Sequence, residues 1–574
     1  MTDAATPTTA RWWVWLGHRV QALLPRRIDI TRMASSPWKN ALAGVTVGVV
    51  ALPLALGFGI TSGMGAAAGL ITAIVAGILA AIFGGSNVQV SGPTGAMTVV
   101  LVPIVAHYGA NGVLVVALMA GALLVVMAFA GIGQYVRFIP LPVIEGFTLG
   151  IAVIIALQQV PSALGVDAAG EQVVLVAVDA VREWLSHPDL AAPLLTAAVV
   201  ASILLLARVR PTLPIALGAV VVATIVVQGF DVSVDAIGAL PQGFPAPELP
   251  HLTLTDLRVL AAPAVAVAAL AALESLLSAT VADAMTVAER HDPDRELFGQ
   301  GIANLVAPLV GGIPATAAIA RTAVNVRAGA TTRLAAVVHA LVLLGIVLML
   351  TDAVSLIPIA ALAGVLIATA IRMVEVSSVR VLLHTSRSDA LVLTVTFVAT
   401  VALDLATAVI LGIIAAGALA LRQLARSASL QKESVSTLTT EHTDEHSAEE
   451  RELLNEHIVA YRFEGPLFFG GAHTALLELT EVSDVRVVIL RLSHLTTLDR
   501  TGSHVLADTI RSLERRDVTV LVSGLPARFD AILDATDVRS ELSSKGHLFD
   551  HTPDAIAHAQ RHVSRATADL PHHE

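Results

Sequence analysis

Residues 311–329 read GGIPATAAIARTAVNVRAG. A glycine pair and a proline open it. The remainder is helix-like but too short to cross a bilayer, which takes about 20 apolar residues. Arg321 falls in its middle. An arginine at a helix centre in the membrane costs roughly 2.5–3.5 kcal/mol on insertion scales. A carboxylate, backbone carbonyls, water or a bound anion must therefore offset it. Residues 84–97, GGSNVQVSGPTGAM, form a matching stretch far upstream. It too has a glycine pair, a short polar extended run, a proline (Pro93) and the start of a broken apolar helix. Two short segments interrupted by Gly and Pro, one in each half of a membrane domain, point to a transporter binding site at the midplane.

The composition fits a polytopic membrane protein: the 574 residues are 55% hydrophobic and only 14% charged. The apolar bulk is Ala, Val, Leu, Ile and Gly, small residues that let helices approach where water supplies no drive for association. The net charge of −11 says little about partners, because the asymmetry between loops matters more than the sum. With no cysteine, disulfides, thiol catalysis and cysteine-based metal sites are excluded. No Walker-type phosphate loop is present, nor any His/Asp/Glu cluster with metal-ligand spacing. No catalytic constellation and no nucleic-acid signature stand out, so neither an enzyme nor a nucleic-acid binder is expected.

Working outward, residues 1–38 form an amphipathic, basic lead-in, with Trp12, Trp13 and Trp15 followed by Arg19, Arg26, Arg27 and Arg32. Seven apolar segments come next, at 41–59, 66–83, 88–107, 112–131, 142–160, 192–207 and 213–227. Seven more lie at 260–287, 299–310, 314–326, 334–350, 356–373, 390–403 and 406–421. The loop charges support this count. Arg137, Arg208, Arg210, Arg290, Arg295, Arg327, Arg333, Arg372, Arg380, Arg387, Arg422 and Arg426 all fall on one side, and the acidic loops 165–190 and 231–256 on the other. That is the positive-inside pattern with both termini cytoplasmic. After the membrane region (39–426) comes a Ser/Thr/Glu/His-rich linker (427–455). A small α/β domain (456–565) and a tail (566–574) complete the chain. In that domain strands are expected at 458–463, 485–490 and 518–522, with helices near 471–480, 501–514 and 526–534 between them.

Three sets of residues could carry chemistry. Glu274 and Ser278, in LESLLSATVADAMT (273–286), are spaced to share one helix face. Glu274 reads either as a carboxylate that binds a proton or Na⁺ or as a structural partner balancing Arg321; a switchable pair would do both. An intramembrane carboxylate is functional by default. Thr94 and Gly95 begin one half-helix, and Ala318, Ile319 and Ala320 lie early in the other. Free N–H groups and the positive dipole end attract an anion at such starts; the alternative is two kinked packing helices. His107 and His339 are single histidines near span ends, read as structural.

At these residues the sequence resembles the SulP family of anion transporters (solute carrier family 26). The resemblance covers nearly the whole chain. It rests on VALPLALGFGI (50–60), VSGPTGAMTVVLVPI (90–104) and ALESLLSATVADAMT (272–286), with ELFGQGIANLVAPLVGGIPATAAIARTAVNVRAG (296–329) and IVAYRFEGPLFFGGA (458–472). It implies a seven-plus-seven transmembrane inverted repeat of the uracil-carrier type, with core and gate domains and a cytosolic STAS domain. It also implies a homodimer in the plasma membrane and a cytosolic partner for the STAS domain. The family site carries over to Phe58, Thr94, Gly95, Ala318, Ile319, Ala320 and Arg321 for the anion, and to Glu274 and Ser278 for a coupling cation, H⁺ or Na⁺. Some cation-coupled bicarbonate carriers of the family have aspartate and threonine at the positions of Glu274 and Ser278, and lack the arginine. The wording here is closer to bacterial C4-dicarboxylate carriers, where proton symport is implied; sulfate is the family's usual label. The STAS stretch TTLDRTGSHVL (496–506) resembles bacterial anti-sigma-factor antagonists, which implies a phosphosite at Thr501. The plainer reading of Thr501 is a helix cap.

These features predict a secondary active anion transporter working by alternating access. A passive channel or exchanger on the same fold, and a membrane-anchored STAS signalling protein, are the rival expectations. The topology is directly testable because the chain has no cysteine of its own. In intact cells an impermeant maleimide should label Asp235→Cys and leave Thr440→Cys unlabelled; the opposite pattern would invert the topology.

Overall fold

A chain inside a bilayer must satisfy its backbone polar groups internally, so the apolar segments become helices. The computed structural model describes residues 17–168, 170, 172–209, 214–240, 243, 245–247, 250, 253–286, 290–403, 405–427, 429–433, 457–469 and 485–568. The tryptophans at 12–15, most of the expected linker and the helix expected at 471–480 lie outside the described residues. The chain divides into two units, Met1–Ile414 and Ala415–Glu574.

The membrane region opens with α1 (Arg27–Met33), α2 (Pro37–Thr61), α3 (Ala66–Phe83), strand β1 (Ser91–Gly92) and α4 (Gly95–Ala130). It continues through α5 (Leu141–Gln158), α6 (Val173–Ser186), α7 (Ala191–Val209) and α8 (Ile215–Gly229). Its second half has α9 (Ala261–Met285), α10 (Pro293–Val306), strand β2 (Thr316–Ala317) and α11 (Ile319–Arg327). Then come α12 (Leu334–Met349), α13 (Ile359–Met373), α14 (Val376–Thr385), α15 (Arg387–Ala402) and α16 (Leu405–Arg426).

All fourteen expected segments are represented by helix, with four differences. Segments three and four are both in α4, where two helices meet at Gly109, whose φ of +61° lies in the left-handed region open to glycine. Segment nine begins at Pro293, a turn and a half before the apolar run, because Asp292 caps the charged turn by accepting the N–H groups of Asp294 and Arg295. The helix of segment ten starts only at Ile319, since the residues before it are extended. The acidic loop at 165–190 is not all loop: it holds the amphipathic helix α6.

By packing, the helices sort into two groups. α2, α3, α4, α9, α10, α11 and α12 pack mainly on one another, and α5, α7, α8, α13 and α15 form the second group. Small residues set the closest approaches. A Cβ on Gly69 of α3 would overlap the Ala55 carbonyl oxygen of α2, and one on Gly59 would overlap the carbonyl of Gly65.

The second unit holds a five-stranded sheet in sequence order: β3 (Ser429–Glu433), β4 (Ile458–Leu467), β5 (Val487–Leu498), β6 (Thr519–Ser523) and β7 (Leu548–Phe549). β3 is antiparallel to β4 and the rest are parallel. Side chains of β4 and β5 alternate between faces, as period two requires. Val459, Tyr461, Phe463, Val488 and Leu490 pack with Leu506, Ile510 and Leu513 of α17 (Arg500–Glu514) and Leu542 of α18 (Val538–Lys545). Ile458, Ala460, Val487 and Ile489 pack on the other side with Ile556, Ala559 and Val563 of α19 (Thr552–Ala568). Strand β3 falls inside the stretch read as linker, and α19 runs past 565.

The α2–α3 crossing gives a stability test. Gly69→Ala should lower stability by about 1–3 kcal/mol through overpacking. Thermal unfolding of the purified protein reads this as a lower midpoint, and an unchanged midpoint would show that the crossing relaxes freely.

Candidate substrate site

The two interrupted stretches meet. β1 and β2 pair antiparallel, Ser91 opposite Ala317 and Gly92 opposite Thr316, and the Ala318 N–H donates to the Val90 carbonyl at 3.0 Å. Two helices therefore start from the ends of one minimal sheet inside the membrane region: α4 after Thr94 and α11 after Ala318. Neither start has a side-chain cap. Thr94 occupies an N-cap position and would ordinarily accept a backbone N–H. Instead its hydroxyl donates to Glu274 Oε2 at 2.8 Å. The first-turn amides of α4 are thus left without that acceptor, and the same holds at α11.

The walls are mixed. A Cβ on Gly95 would lie 3.1 Å from Phe58 Cε1 and would overlap Ile155, so α2 and α5 both reach this helix start. Ile319 is 38% exposed and Ala320 is exposed too, so the start of α11 faces open space. Glu274 is half-buried.

Arg321 lies deeper than the sequence reading implies. It is 1% exposed, its Nη2 donates to the Pro93 carbonyl, and its Nη1 is buried without a partner. A Cβ on Gly92 would sit 2.6 Å from Nη1 and 3.3 Å from Ala73 Cα. Glycine at 92 is therefore what lets the guanidinium lie between α3 and the β1–β2 pair, a hairpin-like unit whose two strands come from opposite halves of the chain. No salt bridge joins Arg321 to Glu274 among the described residues. Ser278 is fully buried and its hydroxyl donates to Thr322 Oγ1 at 3.1 Å, which in turn accepts the Val90 N–H at 3.2 Å. It braces the hairpin from α9, one turn below Glu274.

A set of polar residues that sequence reasoning passed over holds this arrangement. Asn304 accepts the Ala315 N–H and donates to the Ala315 carbonyl, both at 2.8 Å. Ser275 bonds Thr316 Oγ1 and accepts the Ala317 N–H. Gln300 donates to Ser91 Oγ, Gln89 to the Ser275 carbonyl, and Asn325 to the Val88 carbonyl. The signal was the spacing of Glu296, Gln300 and Asn304, one polar residue per turn along a single face of α10.

A cavity of about 820 Å³ lies next to the site, between the two helix groups. Val99 and Val100 of α4, Ala266 of α9, Ile154 of α5 and Thr400 of α15 line it, with Gln172 and Val173 at the start of α6. Val99 is one helical turn from Gly95, and Ala266 two turns from Glu274.

In the second unit, Asp499 caps α17 by accepting the Gly502 N–H at 2.7 Å. Thr501 is not the cap; it is exposed in the first turn. Glycine at 502 is required because a Cβ there would overlap the Leu467 carbonyl.

Comparison with known proteins identifies the family and the fold. Residues 38–396 match the sulfate permease family and residues 453–555 the STAS domain. YvdB of Bacillus subtilis, named as a candidate sulfate transporter, is 35% identical over 523 residues, covering 89% of this chain and 96% of that protein. The bicarbonate transporter BicA of Picosynechococcus is 30% identical over 506 residues, covering 84% of this chain and 88% of BicA. The solved transmembrane domain of a cyanobacterial BicA superimposes with a TM-score of 0.59 at 32% identity, covering 67% of this chain and 98% of that one. The murine Solute Carrier 26 family member A9 anion transporter, in its inward-facing state, gives a TM-score of 0.80 over 98% of this chain and 96% of its own, at 16% identity that speaks for the fold alone. The chain therefore belongs to the sulfate permease (SulP, solute carrier 26) family, as a multi-pass membrane transporter with a C-terminal STAS domain.

Proposed function

We propose that this protein is a secondary active transporter of a small oxyanion, working by alternating access and coupled to a proton taken up at Glu274. Sulfate and bicarbonate are the substrate classes named for the family and its relatives; the wording of 272–286 and 311–329 adds C4-dicarboxylates. The protein acts as a homodimer in the plasma membrane with both termini cytoplasmic, and its exposed Thr501 is available for phosphorylation.

The observation that carries this reading is the Thr94–Glu274 hydrogen bond. One residue, Thr94, ends the hairpin, starts the half-helix whose amides await an anion, and touches an intramembrane carboxylate. An anion arriving at the helix starts brings a like charge next to Glu274. Taking up a proton removes that repulsion. Proton and anion then favour each other's binding, and linkage makes the effect reciprocal. Arg321 supplies a fixed positive charge from behind the Pro93 peptide. The cavity beside the site, lined by both helix groups, supports a path to one face of the membrane.

Glu274→Gln imitates the protonated carboxylate and abolishes its titration. In proteoliposomes the variant should keep saturable uptake of radiolabelled sulfate, bicarbonate or succinate, whichever the native protein moves. It should lose the concentrative uptake that an inward proton gradient drives. Continued accumulation in response to the gradient would place coupling at another residue.

A further inference from the structure

The buried polar frame behind the site runs on to the start of α10, and there it meets the segment ahead of the first span. Glu296 Oε2 accepts the N–H groups of Gly85 and Ser86 at 2.9 and 3.2 Å. Its Oε1 accepts from Gln300 Nε2 at 2.9 Å, and the same amide donates to Ser91 Oγ at 2.7 Å. One side-chain pair on α10 thus holds both ends of residues 85–91. The neighbour of Glu296 is Arg295, 5% exposed, whose Nη2 donates to Asp29 Oδ2 at 2.7 Å. The same carboxylate oxygen accepts the Arg26 N–H at 2.9 Å, closing the first turn of α1.

Charge balance makes Asp29 more than a docking contact. Arg333 is also buried, and donates to the carbonyls of Ala81, Ile82 and Gly84 and to Asn87 Oδ1. Arg295 and Arg333 lie close enough to repel, and Asp29 and Glu296 both act on Arg333 as counter-charges. The cluster holds two guanidiniums and two carboxylates around the base of the hairpin. Without Asp29, the buried Arg295 loses its carboxylate partner next to Glu296 and within the field of Arg333, and a buried charge stripped of its partner is strongly destabilising. Glu296 is the group that holds the Gly85 and Ser86 amides, so the imbalance falls on the hairpin. Arg19 makes a second, separate tether, to Asp294 and to the carbonyls of Ala128 and Phe129.

We propose that Asp29 is a positioning residue for the substrate site: through Arg295, Glu296 and Gln300 it keeps residues 85–92, the arm that ends in β1, in register with β2 from outside the membrane-spanning helices. The segment ahead of the first span then sets how firmly the anion is held, although it touches no part of the site. The functional half of this inference rests on the hairpin being the substrate site.

The test uses the full-length protein in nanodiscs, with hydrogen–deuterium exchange read peptide by peptide. Asp29→Asn should speed exchange over residues 84–93 about ten-fold and leave α5 unchanged. Uptake of radiolabelled sulfate or bicarbonate should show a raised KM with a smaller change in kcat, and Asp29→Glu should restore both readouts. The proposal is overturned if residues 84–93 exchange at the native rate in Asp29→Asn while Glu296→Gln speeds them, or if every peptide loosens together. Thr94→Val separates the two levels. An unchanged KM in that variant would remove the site reading whatever the exchange data show for residues 84–93.

Discussion

Non-helical backbone at membrane depth is tolerated only where protein or water satisfies every peptide group, and the rest of the membrane region depends on how this constraint is met. β1 and β2 are two residues each and pair only with each other, so the flanking peptides need side chains. They come from straight helices on every side: Thr72 of α3 to Ile313, Ser275 of α9 to Ala317, Asn304 of α10 to Ala315, and Thr322 and Asn325 of α11 to Val90 and Val88. Each bond joins an irregular peptide to a regular helix. The hairpin is therefore held as rigidly as the bundle around it, and two helix starts are fixed relative to each other by a sheet of two rungs.

This frame also explains where the charge sits. A guanidinium exposed in the site would bind an oxyanion through two parallel charge-assisted hydrogen bonds, a strong and geometrically exacting pair. A carrier has to release what it binds. Arg321 is instead folded against Gly92 and spends one donor on the Pro93 carbonyl. If the proposed site holds the anion, this charge acts on it through the Pro93 peptide, as a field and not as a ligand. The direct contacts left for an anion are backbone amides and the Thr94 region, which are weaker and more readily exchanged for water. Glu274, half-buried and bonded to Thr94, would balance that field when ionised.

Much of this was legible in the sequence because Gly, Pro and Arg have local, physical meanings. The glycine pairs and Pro93 marked the interrupted helices, whereas Arg295 and Arg333, counted with the loop charges, are buried beside the first interrupted stretch. Several features were not legible. The pairing of Ser91 with Ala317 joins residues in opposite halves of the chain and leaves no local pattern. The Asp29–Arg295 bond is of the same kind. The first turn of α10 is PDRE and falls below any apolar threshold, yet it is helical because Asp292 caps it. Helix α6 was hidden by the acidic residues around it, although Val174, Val178, Val181 and Leu185 recur at helical spacing. Strand β3 is an edge strand whose charged residues looked like linker. It pairs on one side only and lacks the apolar run that marked β4 and β5.

The two helix groups differ in how they are joined. Within the group that carries the hairpin, bonds are many and buried, and they run from α3, α9 and α10 into both interrupted stretches. Across the boundary near the site, the contacts are of another character. Gly95 meets Ile155 through apolar surface. Thr98 donates to Gln158 at 3.3 Å, and Gln159 donates to Thr61 at 3.1 Å. These are single side-chain bonds beside small apolar faces, which can slide or exchange with water at little loss. Packed interiors do not deform continuously, so motion concentrates where interlocking is weakest. On the proposed alternating-access reading, the expected motion is displacement of the whole hairpin-bearing group against the other, with no reshaping of the hairpin itself. An anion held by the two helix starts would travel with Thr94, Glu274 and Arg321 in fixed relation. Only its exposure to one face of the membrane or the other would change.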